Sequence, residues 1–245
     1  MHLDRERLRA RWRVTLIALL LIVYLVLHGL WRLFGRFSPW PTVFLRRAGH
    51  AAGVDVRVTG APVRHNVLLV ANHLSWLDIL ILAGASGTRF VAKDDVARWP
   101  LFGFLSGLNR TVYVSRSQRA EVRAQADLLR AALAEGQPVA LFPEGGTGEG
   151  RVLRTFRASL LSALFPPMPG LLVQPVAIDY GADVPSLIWR DMSMGAEMMR
   201  VLGLAGRRTA VIRFLDPISL TENSDRKALA REAQDRIADA LGWSA

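Results

Sequence analysis

The chain of 245 residues contains no cysteine and only five histidines, all within its first 73 residues. The absence of cysteine excludes disulfide bonds, cysteine-ligated zinc and a thiol nucleophile in this chain. The zinc-binding pattern His-Glu-x-x-His is also absent. We therefore predict no metal site, and any imidazole chemistry must come from the N-terminal part of the chain.

Acidic residues and lysine are scarce compared with arginine. There are 29 arginines, two lysines and 21 acidic residues, which gives a formal net charge of +10. Residues 1–47 hold nine arginines and two acids, so this segment alone carries +7. Such a charge favours an anionic partner, either phospholipid head groups or nucleic acid. An apolar content of 51% excludes a disordered chain and predicts one sizeable folded domain.

An uncharged apolar run interrupts the N-terminal arginines. Residues 14–30 read VTLIALLLIVYLVLHGL, and as a helix they span about 26 Å, close to the lower limit for a bilayer core. A signal peptide and a buried core helix are alternative interpretations, although no small-residue cleavage site follows at once. We predict a basic membrane-anchoring segment over residues 1–47 and one globular domain over residues 48–245.

The charges around this run leave its topology open. Both flanks are rich in arginine, so the positive-inside rule favours neither orientation. The run either crosses the bilayer or enters it and returns along residues 34–45. A nucleic-acid-binding arm is disfavoured, because so long an apolar run would not stay in water.

Beyond residue 47, short β-rich runs alternate with stretches of helical periodicity. Strands are predicted over residues 54–59, 67–71, 88–92, 110–115, 138–142, 171–178 and 209–214. Helices are predicted over residues 75–84, 118–135, 192–203 and 224–241. This alternation is typical of an α/β fold in which helices cover a sheet.

The stretch VLLVANHLSWLD, residues 67–78, carries the most chemistry. An apolar strand ends just before Asn72 and His73, where α/β folds place their sites. If the next helix starts near Ser75, the carboxylate of Asp78 can reach back and orient the imidazole as a general base. Ser75-x-x-Asp78 also fits a capping box, in which Asp78 only caps a helix. His73 is then an ordinary hydrogen-bonded histidine.

Two cations and one glycine-rich turn follow other predicted strands. Lys93 and Arg116 each end a strand and suit an anion, although each also fits a solvated surface side chain. In residues 139–157 a strand runs into Glu144 and a glycine-rich turn, which lets Glu144 and backbone amides approach a polar head. The turn imitates a phosphate-binding loop but lacks its Lys-Ser/Thr pair, so a nucleotide site is excluded.

Together these blocks resemble the 1-acyl-sn-glycerol-3-phosphate acyltransferase family, which includes lysophosphatidate and related lysophospholipid acyltransferases. The similar blocks are Asn72-His73 with Asp78, Ala92-Lys93 with Trp99-Pro100 and Gly103, residues 112–116, Phe142-Pro143-Glu144-Gly145 and residues 173–178. The blocks stand in the family's order and at its spacing, and the resemblance extends over residues 50–220.

The resemblance implies a mixed, mostly parallel sheet flanked by helices. It implies transfer of a fatty acyl group from acyl-CoA or acyl carrier protein to the hydroxyl of a lysolipid, with no cofactor and no metal. The expected acceptor is 1-acyl-sn-glycerol-3-phosphate, and His73 and Asp78 are the implied general-base pair. The residues implied to hold the acceptor head are Lys93, Arg116, Glu144 and Gly145.

One block departs from the family pattern. The family commonly has Thr-Arg-Ser after Phe-Pro-Glu-Gly, whereas this chain has Gly146-Thr147-Gly148. The missing arginine leaves open another acceptor, such as a lyso-ornithine lipid or a lysophospholipid, and Arg151 is a possible replacement. A non-enzymatic basic protein that binds membrane lipid or nucleic acid is the remaining alternative. We expect the inner membrane of a bacterium, with the catalytic domain facing the cytoplasm and no nucleic acid as partner.

Overall fold

The computed structural model describes residues 2–35, 38–93, 112–114, 119–190 and 192–243, with the backbone alone at 2–3, 92–93, 112–114 and 119–125. In these ranges the helices are α1 (His2–Arg32), α2 (Trp40–Ala51), α3 (Leu77–Ser86), α4 (Arg119–Ala134), α5 (Val184–Leu187), α6 (Met194–Gly203) and α7 (Arg226–Leu241). The strands are β1 (Val54–Thr59), β2 (Val67–Ala71), β3 (Arg89–Lys93), β4 (Val112–Val114), β5 (Val139–Leu141), β6 (Leu172–Asp179), β7 (Arg208–Phe214) and β8 (Ile218–Ser219).

The chain forms two compact units, each assembled from separate segments. The larger unit comprises Thr59–His73, Thr88–Ile178 and Arg213–Ala245. The smaller unit comprises Met1–Val58, Leu74–Gly87 and Asp179–Ile212.

A parallel sheet with β2 at its centre forms the core of the larger unit. The strand order is β6-β2-β5-β3-β4, and β8 adds to β6 in the antiparallel direction. All five residues of β2 are buried, as expected for a parallel strand with neighbours on both sides. Because β2 and β5 run in the same direction, the loops that follow them emerge at the same edge of the sheet.

Two α-helices and a 3₁₀ helix cover this sheet with apolar side chains. The buried cluster draws on α4, on the 3₁₀ helix Ala158–Leu164 and on α7. Its members include Leu129, Leu133, Leu161, Leu164, Ala233 and Ile237. After α4 the chain reverses at Gly136, which has a φ of 78° and donates its N–H to Leu133, as the sequence predicts for a helix C-terminus.

The smaller unit is built mainly from helices, with β1 beside β7. Helix α1 packs against α2 and α6, and α2 packs against α3. The α2–α3 contact is close because Gly84 has no side chain: a Cβ there would stand 2.7 Å from the Cα of Arg46.

Helix α1 and helix α2 form an antiparallel hairpin. The ring of Trp31 contacts Trp40, and Tyr24, two turns earlier in α1, contacts Phe44, one turn later in α2. Within the described ranges, Asp4–Arg32 is the one stretch of helix long and apolar enough to cross a membrane, by length and composition.

The predicted strands and helices of the globular part are all present within the described residues, with ends shifted by a few positions. The elements that were not predicted include α2 as a separate helix, the 3₁₀ helix Ala158–Leu164, α5 and β8. Helix α1 begins at His2, well before the apolar run that starts at residue 14. The arginines before this run favour helix, and two of them form hydrogen bonds with the end of α6. Arg9 and Arg13 donate to the carbonyls of Gly203, Leu202, Leu204 and Gly206 at the end of α6.

Candidate active site

The side chain of Asn72 continues the sheet beyond the end of β2. Its Nδ2 donates to the Ile178 carbonyl at 2.9 Å, and its Oδ1 accepts from the Ile178 N–H at 2.8 Å. Asn72 is completely buried, so these two bonds satisfy its amide. They fix the point at which the chain leaves β2, one residue before His73.

The imidazole of His73 stacks on an aromatic ring from the loop after β5. Its centroid lies 4.1 Å from that of Phe142, with the planes 14° apart. Phe142 in turn stacks on Phe90 of β3 at 5.7 Å. His73 itself is only partly buried, so the stack sets the plane of a ring that solvent still reaches.

Glu144 and Gly148 hold the backbone of His73 on both sides. The His73 N–H donates to Oε1 of Glu144 at 2.8 Å, and its carbonyl accepts from the N–H of Gly148 at 2.6 Å. The second oxygen of Glu144 accepts from the N–H of Arg154 at 3.2 Å. Glu144 is 3% exposed. Its carboxylate therefore joins the two loops that follow β2 and β5.

The side chain of Asp78 is completely buried, and its carboxylate accepts hydrogen bonds from the two residues after His73 and from Tyr180. Oδ2 accepts from the N–H of Leu74 at 2.6 Å and of Ser75 at 2.9 Å, and Oδ1 accepts from the Tyr180 hydroxyl at 2.6 Å. The bond to Ser75 is one half of the capping box. The Ser75 hydroxyl accepts instead from the N–H of Leu77 at 3.5 Å, and the N–H of Asp78 donates to the Ser75 backbone carbonyl at 3.0 Å. Asp78 thus closes the turn directly after His73.

Tyr180 is a residue that the sequence did not single out. It is 2% exposed, and burial together with the neighbouring Asp78 raises the pKa of its phenol well above the usual value. The phenol therefore stays protonated and serves as a donor to Asp78. Its position just after the strand-forming residues 171–178 was the one available signal.

The glycine-rich turn contacts two further arginines that the sequence did not assign. Gly145 has a φ of 73°, and the guanidinium of Arg157 lies against it. Arg154 donates from Nη1 to the carbonyl of Thr147 at 3.3 Å. Both arginines are exposed.

The structure describes the remaining predicted site residues only in part. Lys93 is the last residue of β3, and its side chain lies outside the described part of the structure. Arg116 falls between described ranges, as do Trp99, Pro100 and Gly103. Glu144 and Gly145 lie on the turn that holds His73, and their predicted contact with an acceptor stays a prediction. Across the described ranges, no group of three or more His, Asp or Glu side chains could hold a metal ion.

Comparison with known proteins identifies the type of chemistry. Residues 55–179 match the family model described as Acyltransferase. A lyso-ornithine lipid O-acyltransferase from Rhodobacter capsulatus is 32% identical over 243 residues, covering 92% of this chain and 87% of that protein. A 1-acyl-sn-glycerol-3-phosphate acyltransferase from Neisseria meningitidis serogroup B is 30% identical over 199 residues, covering 76% and 73%.

The fold agrees with a solved structure. The crystal structure of the 1-acyl-sn-glycerophosphate acyltransferase PlsC from Thermotoga maritima matches with a TM-score of 0.69 over 100% of both chains, at 22% identity. This confirms the predicted α/β fold, with a sheet flanked by helices and an apolar N-terminal helix. The family model and the sequence relatives together show that the chain belongs to the acyltransferase family and is an acyltransferase.

Proposed function

We propose that this enzyme transfers a fatty acyl group from an acyl thioester to the free hydroxyl of a lysolipid, with His73 as general base. The observation that carries the proposal is the fixed position of His73 in a chain of the acyltransferase family. Its two backbone groups are bound by Glu144 and Gly148, and its ring is stacked on Phe142. A base held in one orientation suits proton transfer.

Asp78 is the proposed partner that orients His73. Leu74 follows His73 directly in the chain, and its N–H donates to Asp78. This short turn supports the pairing, together with the matching family pattern Asn-His-x-x-x-x-Asp. Two more donors, Ser75 and Tyr180, keep the carboxylate in place. A fixed carboxylate would select one imidazole tautomer and stabilise the imidazolium as it forms.

The proposed reaction proceeds by direct transfer. His73 removes the proton of the acceptor hydroxyl as that oxygen attacks the thioester carbonyl. When the tetrahedral intermediate collapses, the carbon–sulfur bond breaks and the imidazolium returns the proton to the leaving thiolate. The products are an ester and a free thiol, and no acyl-enzyme is needed. A general base of this kind accounts for roughly 10²–10⁴-fold in rate.

Lyso-ornithine lipid is the acceptor that we propose first. Relatives named for lyso-ornithine lipid are 32 to 35% identical to this chain, against 29 to 30% for those named for 1-acyl-sn-glycerol-3-phosphate. The chain also lacks the arginine that commonly follows Phe-Pro-Glu-Gly in the family and has Gly146-Thr147-Gly148 there. 1-Acyl-sn-glycerol-3-phosphate, which the motifs alone favoured, is the second candidate. The donor is acyl-CoA or acyl carrier protein.

The first experiment measures acyl transfer to a panel of lysolipids. Membranes containing the protein are incubated with labelled acyl-CoA or acyl carrier protein and each lysolipid. We expect the wild type to acylate lyso-ornithine lipid, and His73→Ala to lose at least about 10²-fold in rate. His65→Ala is the matched control, because His65 is exposed on the turn before β2. Normal turnover by His73→Ala would contradict the mechanism, and no turnover by the wild type on any lysolipid of the panel would contradict the proposed class of acceptor.

For the membrane arrangement, we propose that the hairpin of α1 and α2 enters the bilayer and returns to the same side. A Cβ at Gly53, just after α2, would lie 2.6 Å from Nη2 of Arg13. The chain thus comes back to the point where the apolar run began. Between these points α1 exposes Leu19, Ile22, Val23, Val26 and Leu30, which suits contact with lipid tails. We place this hairpin in the inner membrane of a bacterium, on its cytoplasmic side.

A further inference from the structure

The guanidinium of Arg157 lies flat on the turn beside His73. A Cβ at Gly145 would stand 3.1 Å from Cζ of Arg157 and 3.2 Å from both its Nε and its Nη1. Three nearly equal distances mean that the face of the guanidinium, rather than its edge, covers the glycine. Its N–H groups therefore point along the surface of the turn and away from the backbone.

The backbone of Arg157 is fixed by a hydrogen bond, whereas its guanidinium has no charged partner among the described residues. Its N–H donates to the carbonyl of Pro143 at 3.0 Å, and the 3₁₀ helix Ala158–Leu164 begins at the next residue. The side chain is exposed. With the described residues, the guanidinium forms no hydrogen bond and no ion pair, so its five donors are available to a ligand.

The turn that carries Arg157 is the turn that holds His73. Phe142 stacks on the imidazole, Glu144 accepts from the His73 N–H, and Gly148 donates to the His73 carbonyl. Arg157 contacts Pro143 and Gly145 within the same turn. A cation therefore lies on the same turn that holds the backbone and the ring of His73.

Arg154 adds a second positive charge to this turn. Its Nη1 donates to the carbonyl of Thr147 and would lie 3.4 Å from a Cβ at Gly146. Glu144, an acid of the same turn, is buried, and its oxygens accept from the N–H groups of His73 and Arg154. Two exposed guanidiniums thus face solvent beside a carboxylate whose oxygens point into the protein.

We infer that Arg157, assisted by Arg154, binds the anionic group of the acceptor head, a phosphate or a carboxylate. The planar guanidinium fork matches both groups. These two arginines then replace the arginine that the sequence lacks after Gly145. Arg151, the replacement considered from the sequence, is equally exposed, but it is the guanidinium of Arg157 that lies against Gly145. The inference rests on the proposed transfer to a lysolipid.

The test compares arginine variants of the full-length protein in detergent. We expect Arg157→Ala to raise the KM for the acceptor about 10-fold to 100-fold, as for loss of a charge-assisted hydrogen bond, with the KM for the acyl donor unchanged. Arg157→Lys and Arg154→Ala should each raise the KM for the acceptor less than Arg157→Ala does. Arg231→Ala, on the exposed face of α7, is the charge-matched control. Lyso-ornithine lipid and 1-acyl-sn-glycerol-3-phosphate distinguish a carboxylate from a phosphate ligand.

Binding to the inactive His73→Ala protein separates this inference from the proposed function. In that background, weaker acceptor binding on adding Arg157→Ala supports the site without any turnover. An unchanged acceptor KM and unchanged binding in Arg157→Ala would overturn it. A loss of acceptor binding in Arg151→Ala but not in Arg157→Ala would also overturn the inference. Failure of the wild type to acylate a lipid that it binds through Arg157 would count against the proposed function alone.

Discussion

Tyr180 shows how a buried hydroxyl can support chemistry that it does not touch. Its hydroxyl donates to Oδ1 of Asp78, while the N–H groups of Leu74 and Ser75 occupy Oδ2. Without the hydroxyl, one side of a completely buried carboxylate loses a donor. Tyr180 is therefore a positioning residue for Asp78 in the proposed mechanism.

We predict that Tyr180→Phe lowers stability and kcat while leaving both KM values nearly unchanged. Removing a donor from a buried charged acceptor costs about 1–3 kcal/mol, and a less restrained carboxylate orients the imidazole less well. Thermal unfolding and steady-state kinetics measure the two effects. Tyr24→Phe is the control, because Tyr24 contacts the rings of Trp40 and Phe44 and its ring is kept. A wild-type kcat in Tyr180→Phe would contradict the positioning role.

The hydrogen bond from Tyr180 to Asp78 also makes the stability of the folded protein decrease at alkaline pH. The pKa of Tyr180 is raised in the folded protein, and an unfolded tyrosine titrates near pH ~10. Below that pH both states hold the proton and the contribution is complete. As the pH rises further, the unfolded chain loses its proton first, so the wild type loses stability more steeply than Tyr180→Phe.

At this scale the motifs predicted residues on the turn and left out residues that contact them. Asn72, His73, Asp78 and Glu144 were singled out because they follow strands or stand in short motifs, and their roles stay predictions. Tyr180 reaches Asp78 from 102 positions away, and Arg157 contacts Gly145 only because the loop after β5 folds back. Such pairings depend on tertiary packing, which no local spacing encodes.

Among the elements, the contact between α2 and α3 depends on a residue that has no side chain. At Gly84 a Cβ would lie 2.7 Å from Cα and 2.8 Å from the backbone N of Arg46. A backbone neighbour cannot rotate away as a side chain can. The two helices must therefore separate if this position gains a methyl group.

We predict that Gly84→Ala destabilises the protein although alanine is the better helix former. Helix propensity favours alanine by about 1 kcal/mol, whereas overpacking costs about 1–3 kcal/mol and more when backbone must move. The melting temperature in detergent should fall. Gly195→Ala in α6 is the same change at a position with nothing within 4 Å, and it should leave the melting temperature unchanged or slightly higher. Equal effects of the two substitutions would contradict the prediction.

The strands were easier to predict than the helical hairpin. The all-apolar sequence of β2 and the motifs at the strand ends are typical of a buried parallel sheet. Gly35, Ser38 and Pro39 mark a break before α2. Helix α2 was nevertheless missed, because residues 34–45 were considered only as the returning half of a membrane segment. Its packing on α1 comes from ring contacts, such as Trp31 with Trp40, that periodicity does not show.

At the scale of the whole molecule, the absence of cysteine makes the membrane arrangement directly testable. We predict that single cysteines at Arg5 and Arg57, both exposed, react with an impermeant maleimide from the same side of the membrane. Arg5 precedes the contact of Arg13 with Gly53, and Arg57 follows it. A cysteine at Phe34, near the tip of the hairpin, should be protected. Labelling of the first two sites from opposite sides would show that α1 crosses the bilayer.

The contact between Arg13 and the end of α6 also sets an order of events during synthesis. The hydrogen bond from Arg13 to the Leu202 carbonyl joins residues 189 positions apart, and contacts of such long range form late in folding. The apolar part of α1 leaves the ribosome before α6 and can meet lipid earlier, whereas the contact between Arg13 and the end of α6 has to wait until α6 is made. Newly made chains should therefore attach to membranes before they resist proteolysis at residues 1–13.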